Sequence, residues 1–195
     1  SVWEFCEVKY STPYSEIVDD TSKMPGAKWF TGSQLNYAEN LLRFKDSKPA
    51  IIFKGENQNP SILTYYDLNE EVKKVAYALR NMGIVKGDRV AGFIPNMPEA
   101  VIAMLASASI GAIWSSSSPD FGIKGVLDRF AQIEPKVLFA ADGYFYNGKR
   151  FNSLEKLEGI LKALPSIENV VIVSYTRHQA DISSKLYKNY LHQPY

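Results

Sequence analysis

The sequence predicts an α/β protein: a doubly wound, mainly parallel sheet flanked by helices, preceded by an irregular, aromatic-rich N-terminal segment. Three observations lead there. From Thr64 onward, strand-length apolar runs and helix-period stripes alternate four times, the order that right-handed crossovers in a parallel sheet require. The stretch Gly87–Asp120 (GDRVAGFIPNMPEAVIAMLASASIGAIWSSSSPD) reads as strand, helix and strand, with a polar loop beyond the second strand. Ligand sites gather at such C-terminal strand ends. Before residue 49 the chain is rich in aromatics (Trp3, Phe5, Tyr10, Tyr14, Trp29, Phe30, Tyr37) but has too little periodicity for a free-standing domain. The expected organisation is a lead-in, residues 1–48, and an incomplete α/β subdomain, residues 49–195.

In the lead-in, Pro25-Gly26 and Thr31-Gly32-Ser33 mark turns, and one or two helical turns are expected around Tyr37 to Phe44. Ala50–Phe53 and Ile62–Thr64 are short β-rich runs around a polar loop, hence a hairpin. Thr64 caps the next helix, with Asp67 at N3 as a variant capping box. Leu68, Val72, Val75, Leu79 and Met82 follow in steps of four and three, a stripe for the core, and Gly83 stops the helix. Arg89–Ile94 is a strand closed by Pro95. Asn96 is placed to cap a helix with Glu99 at N3 and Pro98 in its first turn. Gly111 ends that helix, Ala112–Trp114 starts a strand, and Ser115–Asp120 is the loop beyond it.

Asp120 can cap a further helix carrying Val126, Leu127, Phe130 and Ile133, which Pro135 ends. Val137–Ala141 is a strand, and Asp142–Asn152 reads as a long polar-aromatic loop. Ser153 starts a helix (Leu157, Ile160, Leu161, Leu164) that Pro165 stops, and Val170–Val173 is the last strand. From Tyr175 the pattern fades into loop with at most one helical turn.

Composition excludes several functions. With Lys+Arg 22 against Asp+Glu 21, the chain has no electrostatic footprint for nucleic acid or an anionic membrane. A single cysteine, Cys6, rules out an internal disulfide framework and a thiolate metal cluster. The longest apolar run, Ala100–Trp114, is too short to span a bilayer, and the N-terminus shows no signal-peptide pattern. The expectation is a soluble, reduced protein of the cytosol.

Several motifs compete for the chemistry. Gly143–Lys149 has the spacing G-x-x-x-x-G-K directly after a strand, as a phosphate loop requires. Arg150, however, stands where a magnesium-binding hydroxyl belongs, and three successive aromatics fill a loop that must curl tightly. Lys149-Arg150 can still meet a phosphate as plain surface charge. No G-x-G-x-x-G follows a strand, which removes a nicotinamide dehydrogenase. The serine tract lacks the G-x-S-x-G elbow, and His178 and His192 lie in the irregular tail, against a serine hydrolase. No residues have metal-ligand spacing.

A resemblance adds what spacing leaves open. Trp29-Phe30 with Gly32, LNYAENLL from Leu35, LTYYDL from Leu63, the Gly87 stretch through Gly122, and VLDRFAQIEPKVLFAADGY from Val126 run collinearly over about residues 29 to 160. In these motifs the sequence resembles the AMP-forming acyl-CoA synthetases; NYAENLL, WSSSSPDFG and RFAQIEPKVLFAADGY narrow it to the acetoacetate-activating branch. The resemblance implies a two-step ligase. Acetoacetate attacks the α-phosphorus of ATP to give an acyl-adenylate and pyrophosphate, Mg²⁺ screening the phosphates, and the thiol of CoA then displaces AMP.

The family's phosphate loop, adenine motifs and catalytic lysine lie beyond this region, so the resemblance assigns no catalytic and no metal-binding residue here. Acetoacetate, ATP and CoA, with the remainder of the same polypeptide, are the implied partners. One ligand contact carries over. In related acetyl-CoA synthetases an R-x-G-R segment meets the 3′-phosphate of CoA, and it aligns with Tyr146-Asn147-Gly148-Lys149. Lys149 keeps the second charge, Tyr146 loses the first, and Arg150 stands next in line as its substitute. The competing reading is a truncated, non-catalytic fragment acting only as a binding or scaffold domain. A third, a small flavodoxin-like nucleotide-binding protein, needs a complete phosphate cradle that the sequence lacks.

Overall fold

A computed structural model describes residues 1–56 and 58–176 of the chain. The tail from residue 177, with His178 and His192, lies outside the described residues. The four-stranded sheet at the centre is parallel throughout. Its strands are β5 (Arg89–Phe93), β6 (Ile113–Ser117), β7 (Val137–Ala141) and β10 (Asn169–Val173), in the order β10-β7-β5-β6. Alternate residues feed opposite faces, as a strand's period of two dictates. Val90, Val137, Phe139 and Val171 pack with helices α3 (Tyr65–Asn81) and α4 (Pro98–Ser109). Ala91, Phe93, Leu138, Ala140, Val170 and Ile172 pack with α5 (Ile123–Phe130) and α6 (Leu154–Ala163). Helices on both faces make the sheet doubly wound, as the alternating pattern predicts.

The two best-defined helices end as their glycines require. After α3, Gly83 at φ 81° lets its own N–H reach Arg80 O and the N–H of Ile84 reach Leu79 O. After α4, Gly111 at φ 78° supports the same double closure on Ala108 O and Ser107 O. Both are Schellman motifs, which satisfy carbonyls the helix leaves open. At the other end of α3, Thr64 and Asp67 form the expected capping box.

Four expectations are corrected. Asn96 does not cap α4: Pro98 at N1 forces the residue before it into extended backbone, so Met97 (φ −138°, ψ 164°) becomes the N-cap and Glu99 moves to N2. Ser115–Ser117 are strand, not loop, paired with Ala91–Phe93. β6 is the sheet's edge, where polar side chains are tolerated. Asp120 does not cap α5, which begins three residues later behind Gly122. Asp142–Asn152 is not an open loop. It holds an antiparallel hairpin, β8 (Gly143–Tyr146) and β9 (Lys149–Asn152), turned by Asn147 and Gly148, both at positive φ (51° and 72°). That is the type I′ geometry Asn-Gly favours.

The hairpin β3 (Pro49–Phe53) with β4 (Ser61–Thr64) forms as expected. The lead-in is more regular than its sequence suggests. It holds α1 (Val2–Phe5), a β1 (Glu16–Val18)–β2 (Trp29–Thr31) pair and α2 (Tyr37–Leu41), with Trp3 buried against Tyr10, Tyr14 and Phe30. The NYAEN signature fastens it. Asn36 Nδ2 donates to Ala108 O (3.0 Å) and Ser109 O (3.2 Å) at the end of α4, while its Oδ1 accepts from Glu39 N (3.2 Å). Asn40 accepts from Lys9 N (2.8 Å) and donates to Lys9 O (2.9 Å), acting as a strand partner would. Among the described residues no helix is long and apolar enough to cross a membrane.

Candidate functional site

In a sheet ordered this way, the chain leaves β5 toward β6 on one side and reaches β7 on the other. The crevice at the C-terminal ends of β5 and β7 is therefore the switch point where ligands are expected. Three segments meet beside it: the β3–β4 loop, the β8–β9 hairpin that rises from β7, and the residues after β10. Phe53 and Phe145 lie 6.3 and 5.6 Å from Tyr175, ring to ring, and Gln58 Nε2 donates to Tyr175 O at 3.4 Å. Gly55 sits close against this cluster: a Cβ there would run into the Tyr175 hydroxyl unless the ring shifted. Burial, followed by the charges of Glu56 and Glu99, holds the Tyr175 phenol above its usual pKa.

The base of the hairpin is clasped by Asp142, which is 1% exposed. Its Oδ1 accepts from Tyr175 N (2.9 Å), Thr176 N (2.8 Å) and Thr176 Oγ1 (3.1 Å). The tip is held by Glu56, whose carboxylate accepts from Asn147 N (3.2 Å) and Gly148 N (2.8 Å). Glu99, in the first turn of α4, has a buried carboxyl oxygen with no hydrogen-bond partner among the described residues. Burial raises its pKa, and the charge of Glu71 adds to that.

The structure separates the four residues the sequence singles out. Tyr146 and Lys149 are register partners across the turn, so their side chains stand side by side on one face. Both are exposed, and Lys149 makes no ion pair among the described residues. Gly148 supplies the left-handed turn position between them. Arg150 pairs with Phe145 on the opposite face, and its Nη1 donates to Thr176 O at 3.1 Å. The spacing Gly143–Lys149 is thus spent on a hairpin rather than curled as a phosphate loop. Among the described residues no group of three His, Cys, Asp or Glu side chains could hold a metal ion. The Mg²⁺ that the resemblance implies finds no ligand set among the described residues.

Sequence reasoning missed Glu56, Asp142 and Tyr175. The Asn147-Gly148 pair was the signal within reach, because it announces a hairpin and so the tether that a projecting hairpin needs.

The comparisons agree with this architecture. Acetoacetyl-CoA synthetase of Mus musculus is 47% identical over 186 residues, covering 93% of this chain and 28% of that protein. Acetoacetyl-coenzyme A synthetase of Rhizobium meliloti is 46% identical over 183 residues, 94% of this chain and 28% of its own length. Among solved structures, acetoacetyl-CoA synthetase from Streptomyces lividans superposes with a TM-score of 0.88 at 39% identity, over 97% of this chain and 29% of that one. The chain therefore spans little more than a quarter of the length of these relatives, and the fold it shares with the solved structure is the parallel sheet with its flanking helices. Residues 38–192 match the family described as AMP-binding enzyme, and the chain belongs to that family.

Proposed function

We propose that this chain is the N-terminal portion of an acetoacetate–CoA ligase, with residues 1–48 as the lead-in and residues 49–195 as the first, incomplete α/β subdomain of its adenylation domain. The complete cytosolic protein joins acetoacetate to CoA through an acyl-adenylate, using ATP and Mg²⁺ and releasing AMP and pyrophosphate. The observation that carries this reading is the similarity to acetoacetyl-CoA synthetases, 46–47% identical over nearly the whole chain.

The task of this portion is then to hold CoA. A hairpin standing at the ligand end of a parallel sheet presents Tyr146 and Lys149 together, and Lys149 meets the 3′-phosphate of CoA as a charge-assisted contact. Gly148 lets the turn close beneath them, and Arg150 braces the hairpin against Thr176. A lysine–phosphate contact that stays partly solvated contributes about 1 kcal/mol. Lys149→Ala in the full-length ligase therefore raises KM for CoA by roughly fivefold. The penalty falls on thioester formation and not on acetoacetate-dependent ATP–pyrophosphate exchange, which needs no CoA. It shrinks with dephospho-CoA, which lacks the 3′-phosphate. Equal losses in exchange and in thioester formation would show Lys149 to be structural and remove the CoA assignment.

A further inference from the structure

The turn of the β8–β9 hairpin leaves two amides outside the strand ladder, those of Asn147 and Gly148. Both point at one acceptor, the carboxylate of Glu56, which arrives from the β3–β4 loop 91 residues earlier in the chain. A two-stranded hairpin has little stability of its own. Its base is clasped through Asp142 and Arg150 to the segment after β10, whereas Glu56 is the hydrogen-bonding tether at the tip among the described residues. The loop that carries Glu56 is itself seated: Gln58 donates to Tyr175 O, and Phe53 packs against the Tyr175 ring.

We propose that Glu56 is a positioning residue for CoA: by taking both turn amides, it fixes the hairpin tip so that Lys149, on the neighbouring strand position, stands where the 3′-phosphate arrives. The inference rests on the CoA reading of this hairpin. Two effects of opposite sign compete at Glu56. Its negative charge repels an incoming phosphate, and its hydrogen bonds order the lysine that attracts it. Both glutamate oxygens are engaged by amides and the side chain is exposed, so repulsion is screened by water and salt. Ordering is therefore the larger effect, and removing the carboxylate weakens CoA binding. Lys149 remains available because it forms no ion pair with Glu56.

The test uses the full-length ligase with Glu56→Ala, Glu56→Gln, Lys149→Ala and the Glu56→Ala/Lys149→Ala double variant. KM for CoA and for dephospho-CoA is read beside ATP–pyrophosphate exchange. Losing the two exposed hydrogen bonds should raise KM for CoA by about threefold in Glu56→Ala. Glu56→Gln, which keeps an acceptor oxygen, falls between it and the unaltered enzyme. The Glu56→Ala penalty disappears with dephospho-CoA and in the Lys149→Ala background, because the two residues act as one unit. A lower KM in Glu56→Ala would make the glutamate a competitor of the phosphate and overturn the proposal. A penalty that persists with dephospho-CoA, or adds to that of Lys149→Ala, would make Glu56 merely structural. If Lys149→Ala raises KM while Glu56→Ala leaves it unchanged, only the positioning role fails. If Lys149→Ala itself leaves KM unchanged, the CoA reading fails.

Discussion

Replacing Asp142 by alanine would remove the acceptor on which the ligand end of the structure closes. The carboxylate sits where β7 passes into the hairpin, and its Oδ1 takes three donors from Tyr175 and Thr176 at 2.8–3.1 Å. Its own backbone continues the connection, with Asp142 N donating to Val173 O and Ser153 N donating to Asp142 O, both at 3.0 Å. Alanine takes this acceptor away from three donors. Thr176 is 3% exposed, so water cannot readily replace the lost acceptor. A buried donor left unmatched costs about 1–3 kcal/mol. Tyr175 is only partly buried and recovers some of its share from solvent, so the expected loss is about 2–4 kcal/mol, a large part of a domain's stability. Asp142→Asn keeps an acceptor oxygen but no charge and should lose about 1–2 kcal/mol. Urea unfolding of the two variants, read by tryptophan fluorescence at unchanged slope, measures both. A loss below about 1 kcal/mol for Asp142→Ala would refute the reasoning, since the clasp would then be replaceable by water.

Two further outcomes are expected. A Cβ at Gly92 would lie 2.7 Å from two atoms of the Trp114 ring. Gly92→Ala therefore overpacks β5 against β6 and costs about 1–3 kcal/mol, measured by the same unfolding; a neutral or stabilising substitution would show that the ring moves freely aside. Glu99 has its folded-state pKa raised by burial, with the Glu71 charge adding to it. A raised carboxyl contributes stability that is fully present below its unfolded pKa and is lost as pH rises through the folded value. Glu99→Gln should accordingly be more stable than the parent at neutral pH and flatten the fall in thermal midpoint above the ordinary carboxylate range. Parallel pH profiles for parent and variant would count against a carboxylate whose charged form burial disfavours.

What the sequence made legible was whatever local chemistry decides. The α3 stripe, its Thr64–Asp67 box and the glycines at 83 and 111 are local devices, and all appear where the spacing puts them. Asn96 shows how a neighbour outranks propensity: it is a fine capping residue, yet Pro98 fixes the cap one position later at Met97. The serine tract was obscured because polarity on an edge strand resembles polarity in a loop, and pairing with β5 separates the two. For the proposed CoA contact, Tyr146, Gly148, Lys149 and Arg150 come from the aligned segment and its next residue, whereas nothing in the sequence points to Glu56. An exposed glutamate in a polar loop carries no local mark, and its partners lie in a turn 91 and 92 residues away.

The hairpin also gives physical meaning to the departure from R-x-G-R. Because positions 146 and 149 face each other across the turn, two arginines there would form a pair of prongs on one face. Arg150 cannot supply the missing prong from its own place in the strand. Successive residues point to opposite faces, and its guanidinium is already engaged at Thr176 O. On the CoA reading, the phosphate then meets one flexible ammonium instead of a two-pronged clamp, beside an exposed tyrosine ring that can add contact area but no charge. A single prong depends more heavily on being held in the right place. A carboxylate that fixes the turn is of most use where only one cation remains to be aimed.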